Sequence, residues 1–162
     1  MWWSDRRAFL AGALALGGCG FTPAYGPGGT AGRLQGRVLI DAPQDRNGYL
    51  LVRHLEDRLG RAAAPRYGLS LALDIERDRM AVAADNITTR FNLIGRVRYM
   101  LSDMEDDREL ASGNVESFTG YSATGSTAAT QTAEADAHER LMTILGDQIV
   151  TRLMAASGDL PE

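Results

Sequence analysis

Leu69, Leu71, Leu73 and Ile75 alternate with Ser70, Ala72, Asp74 and Glu76, which is the period of two that a half-buried strand requires. A second run, Thr89 to Ser102, puts Phe91, Leu93, Val97, Tyr99 and Leu101 on one face and Asn92, Ile94, Arg96, Arg98 and Met100 on the other. Asp103 to Glu109 reads as a charged turn, and Leu110 to Thr119 as the returning strand of a hairpin, weakened at Gly113. Arg37 to Asp41, followed by Pro43, is a short apolar run suited to a first strand. Between the first two strands the period changes. From Asn47, taken as an N-cap, to about Ala63, Leu51, Val52, Leu55, Leu59 and Ala62 recur at helical spacing, with Arg53, Glu56, Asp57 and Arg61 largely off the stripe. Ala137, Leu141, Ile144, Leu145, Ile149 and Leu153 predict a second helix over Ala133 to Ala155, with Glu139, Arg140, Asp147 and Arg152 opposite. Gly120 to Thr132 has no apolar period and reads as a loop. The order strand, helix, three strands, helix predicts an α+β fold: two amphipathic helices packed on one face of a roughly four-stranded, largely antiparallel sheet.

The first stretch of the chain follows another logic. Arg6 and Arg7 precede an apolar run from Ala8 to Leu16, the n-region and h-region of a secretory signal. That run is too short to span a bilayer, which needs about 20 apolar residues. It ends in Leu16-Gly17-Gly18-Cys19, which resembles the lipobox of bacterial lipoproteins. The resemblance implies acylation of the Cys19 sulfur and cleavage before Cys19. Cys19 is the only cysteine, so an unmodified thiol would have no partner in an oxidising compartment. Arg6-Arg7-Ala8-Phe9-Leu10 also looks like a twin-arginine export core, with Asp5 departing from it, so twin-arginine and general secretory export both stay open. Gly20 stands where lipoproteins retained in the inner membrane usually carry Asp, which implies an outer-membrane destination. The expected organisation is a cleaved signal over 1–18, a lipidated tether rich in Gly and Pro over 19–36, one folded domain over 37–156 and a tail over 157–162.

Charge narrows the choice of partner. Seventeen basic residues stand against 21 acidic ones, a net charge of −4, so the global basic field that nucleic acid needs is absent. Every basic side chain is Arg, and a guanidinium fork can meet an anion with two bonds. Arg96 and Arg98 share a strand face, and Arg77, Arg79 and Arg90 flank the segment before it. Such a cluster suits phosphate oxygens. A simpler reading, which we prefer, has these arginines pairing across strands with Asp74 and Glu76.

Catalytic machinery is not legible. His54 and His138 are the only histidines, and both fall on predicted helices. Glu134 lies one turn before His138, which offers two metal ligands at most and reads more simply as a helix-surface ion pair. Ser126 lacks a nucleophile elbow, and the glycines from Gly26 to Gly32 lack the Lys of a phosphate loop. No enzyme activity, metal or cofactor is expected.

Four pieces carry a resemblance to one family: Cys19-Gly20-Phe21-Thr22-Pro23-Ala24-Tyr25-Gly26, Thr89-Arg90-Phe91-Asn92-Leu93, Ser117-Phe118-Thr119 with Tyr121-Ser122, and the helix Ala137 to Leu153. The chain resembles the lipopolysaccharide-assembly lipoprotein LptE family, departing from it at Ala24, where Leu is more usual. The resemblance implies a lipid-anchored protein on the periplasmic side of the outer membrane. It implies a plug inside the β-barrel of a partner, LptD, that aids folding of the barrel and delivery of lipopolysaccharide. The resemblance implies that basic residues contact lipopolysaccharide; it assigns no positions here, and Arg96, Arg98 and Arg90 are the candidates taken from the arginine cluster itself. The competing reading is an unrelated lipid-anchored binding or scaffold module without a barrel partner, and a lipid-anchored hydrolase is a third.

Overall fold

The computed structural model describes residues 30–82 and 88–160, so Cys19, the expected signal and most of the expected tether lie outside the described residues. The elements are β1 (Val38–Ile40), α1 (Arg46–Leu59), β2 (Tyr67–Val82), β3 (Thr88–Asp103), β4 (Glu109–Ser122) and α2 (Thr127–Ala156). Single 3-10 turns occupy Thr30–Arg33 and Ser157–Asp159. The elements follow the order along the chain that the sequence predicts, and the sheet runs β1-β2-β3-β4, with β1 parallel to β2 and the other pairs antiparallel. A parallel pair needs a long crossover, and α1 provides it.

Helix boundaries follow local chemistry. α1 is capped by Asp45, whose Oδ1 accepts from the Gly48 N–H at 2.7 Å, two residues before the expected cap Asn47. It stops at Leu59, short of Ala63, because Gly60 takes φ +76 and the Leu59 carbonyl accepts from Gly36 N–H at 2.8 Å. The expected loop Gly120 to Thr132 is corrected at both ends. Gly120 to Ser122 pair with Arg90 to Asn92, and α2 begins at Thr127, with the Ser126 hydroxyl accepting from Ala129 N–H at 3.3 Å. Alanines favour this first turn while burying little, so a search for apolar periodicity passes over it. At the other turn, Asp103 Oδ1 accepts from Glu105 N–H at 3.0 Å, Asp106 Oδ1 accepts from Arg108 N–H at 3.1 Å, and Asp107 takes φ 54. Asp tolerates that conformation better than most residues.

Both helices lie over the face carrying Leu69, Leu93, Val97, Tyr99, Leu101 and Tyr121, all buried. α2 has two buried sides. Ala137, Leu141, Leu145, Ile149 and Leu153 lie on the sheet side, where a Cβ built on Gly95 would stand 2.8 Å from Leu145 Cδ1. Met142, Gly146 and Val150 are buried too, and Gly146 abuts His54 and Leu51 of α1. Ile144, placed on the stripe by spacing, is instead 37% exposed, because burial turns toward α1 and away from it. Gly113 makes room for its cross-strand neighbour Tyr99, whose hydroxyl would be 2.7 Å from an added Cβ. The core reaches past the expected domain limits in both directions, since Leu34 and Leu160 belong to it.

Candidate functional site

The uncovered face of the sheet carries the arginines. Residues alternate faces along a strand, so Arg90, Arg96 and Arg98 of β3 share this side with Asp74 and Glu76 of β2 and Glu116 of β4. Register places Arg96 between Asp74 and Glu116. Its Nε donates to Glu116 Oε2 at 3.0 Å, its Nη1 to Glu76 Oε2 at 3.3 Å, and Asp74 Oδ2 lies 3.9 Å from Nη1. Hydrogen bonds donated to Glu116 first and Glu76 next hold the pKa of this guanidinium above its ordinary range. One arginine thus serves three carboxylates. This is the cross-strand reading of the sequence, with Glu116 as the partner that strand alternation alone did not identify.

Arg98 is different. It stands between Ala72 and Asn114, is exposed, and has no ion-pair partner among the described residues. Arg90 is also exposed and on the same side, but six residues from Arg96, about 20 Å along the strand. A shallow depression of about 460 Å³ includes Arg96, Arg98, Asn114, Glu116 and Asp74. Around Arg96 the acids outnumber the bases, so the face is a mixed surface and not a continuous cationic one. Phe118, 67% exposed, faces Ile94 across the same surface.

Arg77 belongs to the helix side. Its Nη1 donates to Glu134 Oε1 of α2 at 3.1 Å, and its guanidinium lies 5.2 Å over the Phe91 ring, which stacks on Tyr121 at 5.3 Å. Hydrogen bonding to Tyr121 is the largest influence raising the Arg77 pKa, and burial pushes the Tyr121 phenol up. Spacing had suggested His138 as the neighbour of Glu134. That carboxylate accepts from Arg77 instead, and His138 Nδ1 is buried without a hydrogen-bond partner. Burial is the main cause lowering the His138 pKa. His138, Glu134, Arg77, Asn47 and Asp45 rim a second depression of about 320 Å³ floored by Leu73, Ile75 and Leu93. His54 Nε2 lies 3.0 Å from Asp147 Oδ1, and Arg58 Nη1 lies 3.6 Å from the same oxygen, linking α1 to α2.

No cluster of three or more His, Cys, Asp or Glu among the described residues could hold a metal. Among the same residues no helix is long and apolar enough to cross a membrane.

The sequence model of the family described as "LptE: Lipopolysaccharide-assembly" matches residues 36–153. Comparison with curated proteins finds no match. Among solved structures, a lipoprotein from Caulobacter crescentus is similar at 25% identity and TM-score 0.68, over 80% of this chain and 98% of that one. The rare lipoprotein B of Shewanella oneidensis shares 12% identity and TM-score 0.56, over 75% and 94%. Lipoprotein B from Nitrosomonas europaea shares 18% identity and TM-score 0.58, over 75% and 84%.

Proposed function

Because the chain belongs to the LptE family of lipopolysaccharide-assembly proteins, we propose that it is an outer-membrane lipoprotein, anchored through Cys19 on the periplasmic side. It plugs the LptD β-barrel, assists folding of that barrel, and takes part in assembling lipopolysaccharide at the outer membrane without catalysing a reaction. The observation that carries this reading is the family match over residues 36–153, set behind a lipobox with the chain's single cysteine. Two or more acyl chains would hold such a protein stably, where one would not. Within this reading Arg98 and Arg90 are the lipopolysaccharide contacts best placed to act, because each is exposed and has no ion pair among the described residues. Arg96 would contribute only by giving up a carboxylate.

The experiment is purification of the full chain from membranes in mild detergent. A stoichiometric large β-barrel is expected to accompany it, with acyl groups on Cys19 by intact mass. An unmodified Cys19, or a chain purified without any barrel, overturns the proposal. On the same material, Arg90→Ser with Arg98→Ser should weaken lipopolysaccharide binding, most visibly at low salt, and leave the barrel complex intact.

A further inference from the structure

Among the described residues, the outer edge of β2 is paired over only part of its length. β1 covers only Tyr67 to Leu69, and its last bond is Asp41 N–H donating to the Leu69 carbonyl at 3.0 Å. Backbone groups of successive strand residues point to alternate sides. Those of Leu71, Leu73 and Ile75 therefore point outward as those of Leu69 do, past the end of β1, where the described sheet has no further strand. Beside them runs a groove of about 520 Å³, walled by Asp41, Pro43 and Gly48 ahead of and within the first turn of α1, and floored by Leu71 and Leu73.

The side chains along this edge sort by sign. On the helix side are half-buried Leu71, Leu73 and Ile75. On the open side are exposed Asp74, Glu76 and Asp78, the first two sharing Arg96 of β3 on their inner flank, so that three acids meet one base and the row stays net acidic. A second copy of the chain is a poor occupant. Pairing β2 with its twin antiparallel, open face beside open face, sets Asp74, Glu76 and Asp78 against one another, and like charges directly opposite are unfavourable. The far edge, β4, is less available. Arg140 Nη2 donates to the Gly120 carbonyl at 3.4 Å, and Gly113 and Gly120 weaken the strand. Toward the hairpin tip, register shifts between Arg79 and Val82 break the regular edge, which confines an added strand to the stretch from Leu71 to about Asp78.

We propose that the outer edge of β2 accepts an extended strand of another polypeptide, apolar on its helix side and carrying Lys or Arg at alternate positions opposite Asp74, Glu76 and Asp78. Backbone pairing supplies the attachment and charge supplies the selection. This does not depend on the barrel-plug reading.

The probe is a blocked peptide of about eight residues alternating valine and lysine, compared with one alternating valine and glutamate. With the full chain, the lysine peptide should slow amide exchange at Leu71, Leu73 and Ile75 and bind about tenfold more tightly than the glutamate peptide, three cross-strand pairs having changed sign. Leu73→Pro removes only an outward N–H from the backbone pairing and should abolish that protection. Should that variant fold poorly, Asp74→Lys with Asp78→Lys leaves the backbone intact and should reverse the preference between peptides. Protection on β4, absence of protection, or equal affinity for both peptides overturns the proposal.

Discussion

His138 sits where one proton changes the energetics of the fold. Its Nδ1 is buried without a partner, with Glu134 on its own helix, Asp45 and Arg46 at the start of α1, and Arg77 on β2 around it. Burial is the largest influence and lowers its pKa, so the unfolded chain, with an ordinary value of about 6.5, takes up the proton first as pH falls. Stability should therefore be full above about pH 6.5 and decline below it, down through the folded value. His138→Gln should flatten that slope, as denaturant midpoints measured from about pH 5 to 8 would report. Asp103 works in a lower window. The Glu105 N–H first, and Arg66 after the opposing effect of burial, lower its pKa, so its contribution is complete above about pH 4 and lost only as pH falls further. Sequence spacing could put Glu134 and His138 on one helix face, but not reveal that Arg77 from another element takes the carboxylate. The same limit explains Arg96: alternation gave its face and two acidic neighbours, while Glu116 needed the register of β4.

At the level of elements, strands with strict alternation were legible, and so were helices with one stripe. α2 was legible in part, because a helix buried on two sides has no single stripe. Met142, Gly146 and Val150 face α1, a partner whose position no local pattern encodes. The contact of α2 with the sheet is close at Gly95, where an added Cβ would come within 2.8 Å of Leu145 Cδ1 and 3.1 Å of Leu141 Cδ2. Gly95→Ala should thus cost about 1–3 kcal/mol through overpacking, and Leu145→Ala about 2–5 kcal/mol through the cavity it leaves. The double variant should lose less than the two losses together, since the smaller side chain makes room for the new methyl. Equilibrium unfolding of the four proteins checks this, and strict additivity would show that the helix shifts freely on the sheet.

Across the whole molecule, the two ends of the described chain meet. Arg33 Nη1 donates to the Leu160 carbonyl at 2.9 Å and lies 3.5 Å from that of Gly158, while Leu34 and Leu160, the latter 4% exposed, enter one core. Truncation after Ala156 removes buried Leu160 and Ser157 together with that carbonyl, and should cost about 2–4 kcal/mol, read as a lowered thermal midpoint. The domain boundaries read from composition had no signal for this closure, because one leucine between Asp159 and Pro161 looks like a tail. The closure also has a mechanical consequence. A pull on the chain ahead of Thr30 arrives first at the Arg33 clasp and buried Leu34, and then at β1, whose bonds to β2 lie side by side along the strand. Tension along the strand axis would have to shear those bonds together and could not peel them singly, so the parallel strand, only three residues long, would take such a pull before the hairpin of β2 and β3.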